Sequence, residues 1–146
     1  VLRGMAGMLL ESLRGSDFPA RFGGEEFAVI LPHTSRDHAV QLAERIRERV
    51  ASHDFGCGQG PVRLTVSAGV AAMQPGKQGQ DLVSLADQAL YLAKNAGRNR
   101  VVVAGLEGGE HGPDAQFKLA GQAAGGEGAP AGQKTAAAPL CAGRAM

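Results

Sequence analysis

One heptapeptide constrains this chain more than any other feature: Arg21-Phe22-Gly23-Gly24-Glu25-Glu26-Phe27, set between two short apolar runs. Residues 18–22 and 28–31 each read as a strand, the second ended by Pro32, so Gly23 and Gly24 fall where a tight hairpin needs positive φ. Glu25 and Glu26 then open the returning strand. Neighbouring strand residues point to opposite faces, which gives the two acids different tasks, one toward a ligand and one toward the scaffold. Two carboxylates beside glycines suit a metal-bound phosphate. Hard cations such as Mg2+ take oxygen ligands and retain substrate phosphates among them, and glycine, lacking Cβ, lets a polyphosphate approach the backbone. Taken alone, an ordinary Gly-Gly hairpin with two solvated glutamates explains the same residues equally well.

The rest of the chain supplies alternating helices and strands. Leu2, Met5, Ala6, Leu9 and Leu13 form a near-helical stripe over residues 1–13, weakened by Gly4 and Gly7. Thr34-Ser35-Arg36-Asp37 offers a capping box, with the Thr34 hydroxyl and the Asp37 carboxylate on the free amides of the next helix. Ala39, Ala43, Ile46 and Val50 are that helix's buried stripe, and Glu44, Arg45, Arg47, Glu48 and Arg49 are mostly its wet face. Residues 62–72 read as a strand. Asp81 is expected to cap a helix with Leu82, Leu85, Ala86, Ala89 and Ala93 inside, stopped by Gly97. Val101-Val102-Val103 is a short buried strand. The order helix, strand, strand, helix, strand, helix, strand implies an α/β (α+β) sandwich whose largely antiparallel sheet is covered by helices.

From Gly105 onward Gly, Ala, Pro and Gln dominate and periodicity vanishes, so residues 1–104 are expected to form one domain and 105–146 a disordered tail. The 146 residues, 44% hydrophobic, suffice for a single core. A formal net charge of +1 carries no nucleic-acid or membrane footprint, so any anion site must be local. No apolar run approaches the roughly 20 residues that span a bilayer, and no signal peptide precedes the domain, so the segment reads as soluble and cytoplasmic. Cys57 and Cys141 stand apart from each other and from any Cys/His grouping, which indicates reduced thiols and no zinc site. His33, His38, His53 and His111 form no constellation and read as surface positions.

Three motifs in order carry a resemblance: the Gly23-Gly24-Glu25-Glu26-Phe27 turn, the strand Leu64-Thr65-Val66-Ser67-Ala68-Gly69-Val70, and the helix with its stop, Ala86-Asp87-Gln88-Ala89-Leu90-Tyr91-Leu92-Ala93-Lys94-Asn95-Ala96-Gly97-Arg98-Asn99-Arg100. Over residue 1 to about residue 103 the chain resembles the GGDEF family, the diguanylate cyclases, in the GGEEF variant of the signature. The resemblance implies a fold similar to the palm of nucleotidyl cyclases and polymerases. It also implies condensation of two GTP molecules into cyclic di-GMP, each 3′-hydroxyl attacking the other nucleotide's α-phosphate with loss of pyrophosphate. Two protomers must then face each other as a homodimer.

By the family pattern Glu25 ligates Mg2+ (or Mn2+) and is the candidate to assist deprotonation of the attacking hydroxyl. Glu26 is the second catalytic carboxylate, and Gly23 and Gly24 admit the nucleotide. Lys94 and Arg98, four apart on one helical face, would contact the GTP phosphates; without the resemblance they read as cations complementing a helix C-terminus. Asp87 reads as structural, and Tyr91 as core packing with a tethered hydroxyl. Arg14-Gly15-Ser16-Asp17 matches the family's RxxD inhibitory motif, in which Arg14, Asp17 and, from the next helix, Arg45 bind cyclic di-GMP as feedback inhibitor. A helix-end charge pair is the plainer reading of Arg14 and Asp17.

Family members begin with a central strand bearing an aspartate metal ligand and a guanine-reading segment, and this sequence starts after both. The expectation is an N-terminally truncated domain that, alone, folds poorly and makes no measurable cyclic di-GMP. A noncatalytic module binding cyclic di-GMP or GTP, or a remnant of a cyclase, is the alternative reading.

Overall fold

The computed structural model describes residues 2–56, 60–76, 78–105, 117–119 and 134–143. Helix α1 (Leu2–Ser12) leads into the hairpin β1 (Phe18–Arg21) and β2 (Phe27–Pro32). There follow α2 (Arg36–Ser52), β3 (Leu64–Ala72), α3 (Gly79–Asn95) and β4 (Val101–Ala104), then β5 (Phe117–Leu119) and β6 (Lys134–Gly143). One sheet runs β1-β2-β6-β3-β4-β5.

The sheet is mixed, but where the sequence leads one to expect largely antiparallel pairing the parallel share is the larger one. The pairs β1–β2 and β4–β5 are antiparallel, whereas β2–β6, β6–β3 and β3–β4 are parallel. Helix α3 joins β3 to its neighbour β4, and a crossover helix between adjacent strands returns the chain in the same direction.

Alternation along β3 puts its two sides against different helices. Leu64, Val66, Ala68 and Val70 join Met5, Met8, Leu9, Phe27, Val29, Leu31, Ala39, Ala43, Ile46 and Val50 in the main core under α1 and α2. On the opposite face Ala71 packs with Leu82, Ala86 and Ala104, and Val102 with Ala89 and Ala93, under α3. All four expected core residues of α2 are buried, as the 3.6-residue period requires. The stripe of α3 is buried at Leu82, Ala86, Ala89, Leu90 and Ala93, with Leu85 half-buried. At Gly69 an added Cβ would lie 2.1 Å from the Ala86 carbonyl oxygen and 2.4 Å from the Leu90 nitrogen. Only glycine lets α3 settle this close to β3.

Two helix starts differ from expectation by a residue or more. Ser35, not Thr34, caps α2, its Oγ accepting from the His38 amide at 3.3 Å, while the Thr34 hydroxyl donates to the Pro32 carbonyl. Gln78 is the first cap residue of α3, and Asp81 sits one turn inside, its carboxylate accepting from the Gln78 amide at 2.8 Å. The second follows the capping-box logic, in which the acid three residues in reaches back to the cap, whereas the residue three in from Ser35 is His38 and contributes only its amide.

Most of residues 105–146, expected as a disordered tail, lies outside the described residues, as do Cys57 and His111. Of the described parts, residues 117–119 and 134–143 are strands. Residues 134–143 pair in register with both β2 and β3, Leu140 standing between Val29 and Val70. A ladder needs only main-chain donors and acceptors, so weak side-chain periodicity did not reveal it. Among the described residues no helix is long and apolar enough to cross a membrane.

Candidate active site

The signature turn is wider than a two-residue hairpin. It comprises residues 22–26 and is closed by the Phe22 and Gly23 amides, both donating to the Glu26 carbonyl at 2.8 and 3.2 Å. Neither Gly23 nor Gly24 has positive φ, which the longer loop makes unnecessary. What Gly23 supplies is room, since a Cβ there would lie 3.2 Å from Glu26 Oε2. Arg21, which sequence reasoning passed over, ties the turn at the surface: its Nε donates to the Gly23 carbonyl at 3.2 Å and its terminal nitrogen to the Gly24 carbonyl at 2.6 Å. An arginine two and three residues before two glycine carbonyls is the signal that could have found it.

The two carboxylates diverge, although both belong to the turn and neither opens β2, which begins at Phe27. Glu25 is exposed and makes no hydrogen bond or ion pair among the described residues. Glu26, half-buried, accepts from Lys94 Nζ at 2.8 Å, which docks the signature turn to the last turn of α3. The donor set fits a hard cation that shares its shell with phosphate oxygens: adjacent carboxylates, one of them without a partner. No group of three or more His, Cys, Asp or Glu side chains able to hold a metal occurs among the described residues.

Lys94 and Arg98 do not share a helical face. Helix α3 ends at Asn95, and the Arg98 amide donates to the Ala93 carbonyl at 3.0 Å, the closing bond of a glycine-stopped helix end. Gly97, Arg98 and Asn99 are all left-handed, with φ of 107°, 61° and 46°. The Arg98 guanidinium is exposed and without a partner among the described residues. Tyr91, expected in the core, is 64% exposed. At about 100° per residue it lies roughly 160° around α3 from the buried Ala93. Asp87 is also on the exposed side.

A second constellation lies at the other end of β1, whose four residues span about 13 Å. There Arg14, Asp17, His38 and Arg45 help line a cavity of about 200 Å³ between the end of α1 and the start of α2. Arg14 and Asp17 are joined through the main chain, not as a charge pair. The Arg14 amide donates to the Asp17 carboxylate at 2.8 Å, and the Asp17 amide to the Arg14 carbonyl at 3.0 Å. The Arg14 guanidinium therefore has no partner among the described residues. Arg45 donates to the Ser12 carbonyl at 3.1 Å, and Arg49 bridges Ser12 and Glu11, so α2 clamps the end of α1. His33, His38 and His53 are exposed, the last edge-on to Phe55.

Comparison with known proteins points one way. Residues 1–100 match the family described as "Diguanylate cyclase, GGDEF domain". The chain is 48% identical over 104 residues to the diguanylate cyclase DgcP of Pseudomonas aeruginosa, covering 71% of this chain and 16% of DgcP. It is 42% identical over 105 residues to the response regulator PleD of Caulobacter vibrioides, covering 70% of this chain and 23% of PleD. The crystal structure of diguanylate cyclase SiaD in complex with its activator SiaC, from Pseudomonas aeruginosa, matches with a TM-score of 0.62 at 32% identity, covering 68% of this chain and 38% of that one. The chain spans less than a quarter of the length of either curated relative.

Proposed function

The chain belongs to the GGDEF family, and from that premise we propose that the protein carrying it is a diguanylate cyclase that condenses two GTP molecules into cyclic di-GMP. Each 3′-oxygen forms a bond to the other nucleotide's α-phosphorus, pyrophosphate leaves, and the hydroxyl proton passes to a nearby base. The observation that carries the reading is the division of labour at the turn, Glu25 at the surface without a partner among the described residues and Glu26 bonded to Lys94. Glu25 would hold Mg2+ together with the substrate phosphates. Such a cation neutralises charge developing on the phosphoryl oxygens.

In this reading Gly23 leaves space beside Glu26 for the nucleotide, and Arg21 occupies the Gly23 and Gly24 carbonyls, whose negative ends would otherwise repel the polyphosphate. Lys94 and Arg98 supply positive charge from the end of α3. One site holds one GTP, so two copies must meet face to face in the cytoplasm, where GTP is found. Cyclic di-GMP inhibits from the cavity at Arg14, Asp17 and Arg45. Support for this lies in a guanidinium without a partner among the described residues and a carboxylate sharing one concavity, a pairing that suits a phosphate and a guanine edge.

The test is incubation of the full-length protein with GTP and Mg2+, with chromatographic detection of cyclic di-GMP and pyrophosphate. Glu25→Gln removes the charge at nearly constant shape and should abolish product. Wild-type turnover in that variant, or no product from the wild type as a dimer, would refute the reading.

A further inference from the structure

Arg98 occupies a conformation that a residue with a Cβ adopts only when its surroundings impose it. Its φ is 61°, and the next residue, Asn99, has φ 46°. Main-chain bonds hold the turn on both sides, Arg98 to the Ala93 carbonyl at 3.0 Å and Ala68 to the Arg100 carbonyl at 2.9 Å. Arg100 adds a bond from its Nε to the Arg98 carbonyl at 3.0 Å. Among the described residues, the one hydrogen bond from outside this segment and its neighbouring strand comes from α2. Arg47 donates through a terminal nitrogen to Asn99 Oδ1 at 3.1 Å.

Arg47 is itself fixed. Its side chain is 19% exposed, its Nε donates to Glu44 at 2.7 Å, and its other terminal nitrogen lies 3.5 Å from Glu48. A guanidinium is a rigid planar fork, so two carboxylates on its own helix determine where the third donor points. That donor meets the side chain of Asn99, whereas the neighbouring Arg98 guanidinium is exposed and has no partner among the described residues.

We propose that Arg47 and Asn99 are positioning residues for Arg98: they lock the left-handed turn after α3 so that the Arg98 guanidinium is presented toward a polyphosphate. This rests on the nucleotide reading above. Arg47 touches no substrate and acts only through Asn99, and its carboxylate partners serve to aim it.

The experiment is a GTP titration, with Mg2+, of the wild-type protein and of Arg98→Ala, Arg47→Met, Asn99→Gly and Asn99→Asp, each checked by thermal melting. Asn99→Gly guards against misfolding, because glycine accepts the left-handed turn while removing the acceptor. Arg98→Ala should weaken binding about tenfold, as loss of a charged hydrogen bond does. Arg47→Met and Asn99→Gly should each weaken it several-fold. The double variant Arg47→Met/Arg98→Ala should bind no worse than Arg98→Ala alone, because coupled residues are not additive. Asn99→Asp keeps the acceptor and should bind within about twofold of wild type. Faster amide exchange at Arg98 in Arg47→Met is the ligand-free counterpart. Full additivity in the double variant, or wild-type affinity in both Arg47→Met and Asn99→Gly while Arg98→Ala is impaired, would overturn the positioning role alone. Absence of GTP binding, or binding indifferent to Arg98→Ala, would overturn the nucleotide reading and this role with it.

Discussion

Lys94 Nζ lies 2.8 Å from Glu26 Oε1, a contact between residues 68 apart that joins the start of β2 to the end of α3. Both side chains are about one-third exposed, at 32% and 35%. Solvent screens such a pair, so its coupling is worth about 0–1 kcal/mol. A double-mutant cycle with Lys94→Met and Glu26→Gln, followed by urea denaturation, should return a coupling inside that range and smaller still in high salt. GTP affinity should fall far more in Lys94→Met than its stability does. Equal losses in both would mean the pair is structural.

Gly69 sets how closely α3 approaches the sheet. Gly69→Ala would place its methyl within 2.4 Å of backbone atoms of Ala86 and Leu90, and backbone cannot rotate away. The expected destabilisation is about 1–3 kcal/mol or more, by analogy with overpacked cores. Displacement of α3 should also lower GTP affinity, since Lys94 rides on it. A urea midpoint unchanged from wild type would contradict the packing described.

At the second cavity Arg14→Ala is the cleaner probe. Its backbone amide, which Asp17 accepts from, survives the substitution, whereas Asp17→Ala would also open the turn. Arg14→Ala should abolish inhibition by cyclic di-GMP and leave initial turnover intact. Isothermal titration with cyclic di-GMP reads the loss directly, and undiminished affinity would remove Arg14 from the site.

Asp54 gives a dependence on pH. Its carboxylate accepts from the Val62 amide and then from the Gly56 amide, which together hold its pKa below the usual carboxylate value. A group whose pKa is depressed on folding stabilises fully above its unfolded value, about 3.9. That contribution disappears as pH falls through the lower folded value. Thermal melts should therefore decline below about pH 4 more steeply for wild type than for Asp54→Asn. Parallel curves would show that Asp54 contributes nothing to acid sensitivity.

Much of this was legible in advance because it is local. The stripe Ala39, Ala43, Ile46 and Val50 obeys helical period, and the turn at Gly23-Gly24-Glu25-Glu26 announces itself by composition. Strand alternation led one to expect different surroundings for Glu25 and Glu26, yet both lie in the turn ahead of β2, and it is the contact with Lys94 that sets Glu26 apart. Tyr91 was misplaced because an aromatic on a helix argues for burial, yet the buried face of α3 is narrow and built of alanine against Gly69. The place of residues 134–143 in the sheet was invisible, since their pairing is a property of main-chain groups.

Sequence by itself determined the helices and strands of residues 2–104, the buried stripe of α2 and the family the motifs resemble, because periodicity and turn chemistry act over a few residues. Only the tertiary structure decided that Lys94 meets Glu26, that Arg98 leaves the helix for a left-handed turn braced by Arg47, and that Arg14, Asp17 and Arg45 share one cavity. Those relations depend on how elements distant in sequence pack, and the packing distance is set by contacts such as Gly69 on α3 that no local pattern encodes.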